Sequence, residues 1–177
     1  IQGRLLLDPF ETPAPGWVQI EDDQIIEVAA GPPPQPADFG DERALITPGF
    51  YDAHTHLPQF SSIGCEAPAL LPWLRNVIFP AEARWADPAF AESEIRDAHR
   101  RMLAAGTLGY AGYLTSHPHG LELVRKAQQD LPIRAAVGFA LMDRDAPDEL
   151  LRRGVPSMPP RTELLEPTIN PRFALSC

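Results

Sequence analysis

The sequence predicts an α/β fold: about the first four βα units of a (β/α)8 TIM-type barrel, preceded by a small antiparallel β unit. Three observations predict it. From residue 44 onward, short apolar runs alternate with amphipathic helical segments, the pattern of a right-handed βα series around a parallel sheet. Ahead of that series, two short apolar runs flank the turn Glu21-Asp22-Asp23-Gln24 and read as a hairpin. A proline-rich stretch from Gly31 to Phe39 then separates the two parts as a linker.

Taken in order, Gly3–Leu7, Trp17–Ile20 and Ile25–Ala29 are the expected strands of the first part. Together with the linker they make residues 1–43 a small β domain, the N-terminal part of a β-sandwich. Residues 44–177 are then the first half of the barrel. Ala44–Phe50 leads straight into Tyr51-Asp52-Ala53-His54-Thr55-His56, and this is the expected first barrel strand, ending in a loop. Leu70–Ile78 fits a short helix. A stronger helix is expected from Asp87 as N-cap, with Pro88 at its first position, to Ala105, and Gly106 supplies the left-handed stop. Its inward positions are Phe90, Ile95, Ala98 and Met102. Thr107–Leu114 reads as strand two and Gly120–Gln129 as an amphipathic helix with Leu121, Leu123, Val124 and Ala127 inward. Ile133–Leu141 is strand three, Pro160–Glu166 a weak helix and Thr168–Leu175 strand four. A full barrel takes about 250 residues, and strands one and four would each leave an open edge. The remaining strands are therefore expected on a downstream segment or a second polypeptide.

Composition narrows the function. The chain has 177 residues, 44% of them hydrophobic, and a formal net charge of −9. An acidic surface repels phosphate backbones and anionic lipid, so neither nucleic acid nor a membrane surface is an expected partner. No apolar run of about 18 residues is present to span a bilayer, and no signal-peptide pattern follows Ile1. The two cysteines, Cys65 and Cys177, lack metal-binding spacing and read as free thiols of a cytoplasmic protein. The 21 prolines, clustered at Pro32 to Pro36 and Pro156 to Pro160, read as rigid connectors.

His54 and His56 carry the chemistry. Residues two apart in a strand share a side, so two imidazoles at this spacing can converge on one metal ion. At the C-terminal end of a barrel strand they would stand where barrel enzymes place their sites. Asp52, two residues earlier, either orients a histidine or is an ordinary structural carboxylate. The stretch Thr47-Pro48-Gly49-Phe50-Tyr51-Asp52-Ala53-His54-Thr55-His56 resembles the PGFxDxHxH signature of the amidohydrolase superfamily. Four further matches follow in order: Leu57-Pro58-Gln59; Trp73-Leu74 with Phe79-Pro80-Ala81-Glu82-Ala83-Arg84; Met142-Asp143-Arg144-Asp145-Ala146-Pro147; and Pro171-Arg172-Phe173-Ala174-Leu175-Ser176-Cys177. These resemble the guanine deaminases of that superfamily, from about residue 45 to the end.

The resemblance implies that His54 and His56 bind one zinc ion, with iron as the alternative metal, and that Gln59, Trp73, Arg172 and Phe173 belong to a purine site. Gln59 offers both a donor and an acceptor. Arg172 is donor-only and suits the O6 and N7 acceptors of guanine, as in DNA readout; its other reading is a salt bridge at a strand end. Phe173 is either a stacking face or ordinary core. The only lysine is Lys126, on a helix, so the carboxylated lysine that bridges two metals in binuclear members has no counterpart at strand four, which favours a single metal. No PCxxC pair is present, which excludes the cytidine-deaminase type of site from this segment. Ser116-His117-Pro118-His119 keeps one histidine near a family position, while Gly106-Thr107-Leu108-Gly109 lacks the usual run of threonines. No catalytic acid lies in this segment: the HxxE glutamate and the ligating aspartate are expected downstream. The implied activity is hydrolytic deamination of guanine to xanthine and ammonia. Its alternatives are deamination of another heterocycle (a pterin, a triazine or cytosine) or a non-catalytic fragment. The implied partners are a small purine, the C-terminal half of the barrel or a second polypeptide, and in a further reading a second copy in a homodimer.

Overall fold

The computed structural model describes residues 1–66, 69–152 and 154–177. The chain forms two compact units, Ile1–Gly49 and Phe50–Cys177. In the first, β1 (Gln2–Leu5), β2 (Ala14–Glu21), β3 (Gln24–Ala30) and β4 (Leu45–Ile46) make one sheet in the order β3-β2-β1-β4. The expected hairpin is present: Asp22 and Asp23 take positive φ angles of 46° and 65°, which suits the twist of a tight β-turn.

Two expectations change here. The sheet is not wholly antiparallel, because β4 runs parallel to the free edge of β1. The division of the chain also falls at Gly49 and Phe50 rather than at residues 43 and 44. One cause explains both. Ala44–Phe50 is interrupted by Pro48, which has no N–H for a ladder. Leu45–Ile46 therefore pairs with β1, Arg4 and Leu6 donating to the carbonyls of Ala44 and Ile46. The strand of the second unit starts only at Phe50.

The second unit is α/β with a parallel sheet. Its strands β5 (Phe50–His56), β6 (Thr107–Tyr113), β7 (Arg134–Gly138) and β9 (Leu165–Pro167) lie in the order β5-β6-β7-β9, all parallel. A short β8 (Ala140–Leu141) pairs with β10 (Asn170–Pro171). The histidine motif thus lies at the C-terminal end of a strand. A six-residue 3-10 turn, Leu57–Ser62, follows it directly.

The helices are α1 (Leu70–Trp73), α2 (Phe79–Ala83), α3 (Pro88–Ala104) and α4 (Gly120–Ala127). Asp87 caps α3 by accepting from the Ala89 N–H at 2.9 Å, Pro88 opens the helix, and Gly106 leaves it at φ +80°. Ile95, Ala98 and Met102 from α3, with Leu121, Val124 and Ala127 from α4, bury against Tyr110, Val137 and Leu165 on one face of the sheet. A second cluster gathers Leu74, Ile78, Phe79, Met142 and Leu150. Among the described residues no helix is long and apolar enough to cross a membrane.

Between α1 and α2 the backbone widens into a π turn, Leu74–Ile78, and the Phe79 N–H bonds to the Leu74 carbonyl five residues back. Pro80 explains it: its ring clashes with the carbonyl four residues earlier and it has no N–H to give. The helical path continues to Ala86 instead of ending at Ile78, and Phe79 and Glu82 turn inward.

The expected helix over Pro160–Glu166 does not form, and strand four arrives early and in two pieces. Leu165–Pro167 pairs with β7, and the Thr168 N–H then reaches the Val137 carbonyl at 3.0 Å. A Cβ on Gly138 would stand 1.9 Å from the Thr168 carbonyl oxygen, so only glycine admits this approach. Pro167 and Pro171, with no N–H to donate, keep both pieces short.

Candidate functional site

The site forms where β5 and β6 end and where the chain leaves β10. His54 and His56 project together, ring centroids 5.2 Å apart and planes at 65°. Tyr113, the register partner of His56 across β5 and β6, stacks on it at 4.6 Å with the planes 6° apart. The Tyr113 hydroxyl donates to the carbonyl of Pro171 at 3.4 Å, beside Arg172.

His54 is exposed and His56 half-buried. Burial, then the Arg172 charge, then His54 lower the His56 pKa to about 4, so the ring is neutral near pH 7. Its Nδ1 is buried without a hydrogen-bond partner. A neutral imidazole with an unclaimed nitrogen is the form a metal takes, so the pair fits a metal as two nitrogen donors. Among the described residues no group of three or more His, Cys, Asp and Glu side chains could hold an ion, so the pair makes part of a shell only. Asp52 Oδ1 accepts from the His54 backbone N–H at 3.0 Å.

Next to the histidines lies a buried polar chain. Gln59 Nε2 donates to Glu82 Oε1 at 3.0 Å, and Arg172 Nη1 donates to Glu82 Oε2. Glu82 is 1% exposed and the Arg172 side chain 4%. The Arg172 guanidinium also lies over the Phe79 ring, 5.5 Å from its centroid. Of the two readings of Arg172, the salt bridge at a strand end is therefore present, with Glu82 as partner.

Phe173 is half-buried and packs on the second cluster. With Phe79, Leu74, Arg75, Asp145 and Pro147 it lines a cavity of about 450 Å³. His54, His56 and Gln59 do not line that cavity. The groups able to bind an ion or a polar ring are the histidines and the Gln59–Glu82–Arg172 chain. Trp73 packs on the same second cluster, and its indole donates to the Cys65 carbonyl at 3.0 Å. His117 and His119 stack at 5.8 Å, held by Thr115 Oγ1 and the Trp85 carbonyl. His99 is buried against the Tyr110 hydroxyl. Both cysteines are free and exposed.

The sequence motifs alone assign no role to Glu82 or Tyr113. A lone acid within the apolar run from Val77 to Ala83 was a signal for the first. The parallel register that sets the end of strand two beside His56 would have found the second.

The amidohydrolase family matches residues 45–176. Guanine deaminase of Escherichia coli (strain K12) is 34% identical over 139 residues, covering 73% of this chain and 32% of that protein. Guanine deaminase of Dictyostelium discoideum is 34% identical over 146 residues, covering 75% of this chain and 32% of that protein. The chain thus spans about a third of the length of these curated relatives. A crystal structure of guanine deaminase from C. acetobutylicum, with guanine bound in its active site, shares the fold with a TM-score of 0.77 at 23% identity, over 99% of this chain and 46% of that one. With the match running through the histidine strand and the Arg172 segment alike, the chain belongs to the amidohydrolase family.

Proposed function

We propose that this chain is the metal-binding and substrate-binding first half of a zinc-dependent deaminase that converts guanine to xanthine and ammonia. In this reading the parallel sheet of the second unit is the opening part of a (β/α)8 barrel, and its strand ends carry the site. The observation that carries the proposal is the juxtaposition of two groups. A histidine pair able to ligate one ion stands beside a buried Gln59–Glu82–Arg172 chain able to read a polar ring. Relatives at 34% identity that bear the name guanine deaminase support the choice of ring.

His54 and His56 would hold the zinc ion through ring nitrogens, and the other ligands would come from the rest of the barrel. When bound, the ion supplies Lewis acidity, enough to generate a nucleophile from water at neutral pH. The protein groups do the positioning. Arg172 gives N–H donors to ring acceptors, Gln59 bonds the ring edge, and Phe173 closes the apolar side. Tyr113 braces the His56 ring, which fixes where its nitrogens point.

The test is zinc content together with xanthine and ammonia release from guanine in the assembled enzyme. His54→Ala and His56→Ala should each lose zinc and turnover together, because each removes a direct metal bond. Stoichiometric zinc with a normal kcat in either variant would make the pair structural and sink the reading.

A further inference from the structure

Among the described residues Glu82 is the only buried carboxylate. Its oxygens are divided: Oε1 accepts from Gln59 and Oε2 from Arg172. Burial of a carboxylate is unfavourable, and pairing at best offsets it, so an apolar side chain would serve packing as well. The geometry points to Glu82 as the positioning residue of the substrate pocket, an inference that rests on the deaminase reading.

A carboxylate ion-paired with arginine has no proton to donate. The Gln59 amide must therefore meet it with nitrogen, which turns Oε1 the other way. Among the described residues no protein donor bonds that oxygen. Gln59 is thus set as an acceptor, and Arg172 is a donor by nature. A donor and an acceptor held by one carboxylate complement a lactam edge, a ring carbonyl beside a ring N–H. Guanine has such an edge. 2,6-Diaminopurine has an amino donor and a bare ring nitrogen in its place, the opposite sense at both points. Selectivity then follows from leaving buried groups unpaired against the reversed ring.

The experiment measures kcat and KM for guanine and 2,6-diaminopurine, the latter as substrate or as competitive inhibitor, in the zinc-loaded enzyme. Glu82→Gln fills the same space but can donate as well as accept, which frees the Gln59 amide to turn. The preference for guanine over 2,6-diaminopurine should fall by about tenfold or more, the effect of losing one hydrogen bond to a charged group. The guanine loss should fall mainly on KM, with zinc content unchanged. In a Gln59→Leu background the same substitution should move the preference less, because part of its effect acts through Gln59. An equal loss on both purines, or an unmoved preference, would reduce Glu82 to a packing residue and leave the deaminase reading standing. A zinc-loaded parent that binds and turns over neither purine would overturn both.

Discussion

The Arg172 guanidinium is the charge partner of the buried Glu82 carboxylate. Its removal strands a buried carboxylate, and breaking a buried pair from one side costs about 3–5 kcal/mol. Arg172→Met should therefore lower the free energy of unfolding, read from denaturant titration, by that much, whatever it does to substrate choice. The double variant Glu82→Leu/Arg172→Met should recover most of it, since an apolar pair of similar volume carries no uncompensated charge. A single variant within about 1 kcal/mol of the parent would show that water reaches Glu82 freely. The histidine pair was legible in the sequence because its geometry is local: two positions on one strand and a recognisable flank. Glu82 was not, because its partners lie 23 and 90 residues away. Nothing near a residue in the chain marks a contact of that range.

Where local rules decide the element, the structure follows them. In α3 a cap, a first-turn proline and a terminal glycine act together, and the helix runs from Pro88 to Ala104 as they require. Asp87→Ala should cost about 1 kcal/mol, because the Ala89 N–H loses its acceptor. In thermal unfolding that corresponds to a drop of roughly 2–4 °C; no change would mean that water replaces the cap at no cost. The strands were harder. The expected strands Ala44–Phe50 and Thr168–Leu175 contain Pro48 and Pro171 and break there for want of an N–H, and pairing partners elsewhere decide which fragment joins which sheet. The π turn at Leu74–Ile78 has a local cause in Pro80, but its inward rotation of Glu82 shows only once the helix packs.

At the scale of the molecule, one buried base links folding to pH. Burial, and secondarily the Arg96 charge, hold the His99 pKa down to about 4. In the unfolded chain the same imidazole titrates near 6.5. Between those values the unfolded state binds more protons, so stability falls as pH drops from about 6.5 to about 4 and this contribution then levels. The gap amounts to about 3 kcal/mol. His99→Gln can still bond the Tyr110 hydroxyl but does not titrate. Its urea midpoint should lose less than the parent's between pH 7 and pH 4, and parallel curves would acquit His99. The ion pair between Glu82 and Arg172 has a consequence in time as well as in energy. Its members are 90 residues apart, so on the ribosome Glu82 emerges roughly 5–20 s before Arg172 exists, at synthesis rates of about 5–20 residues per second. During that interval a charged α2 cannot close over its own carboxylate without the cation that compensates it. The segment around Phe79–Ala83 must stay wet until Arg172 has been made.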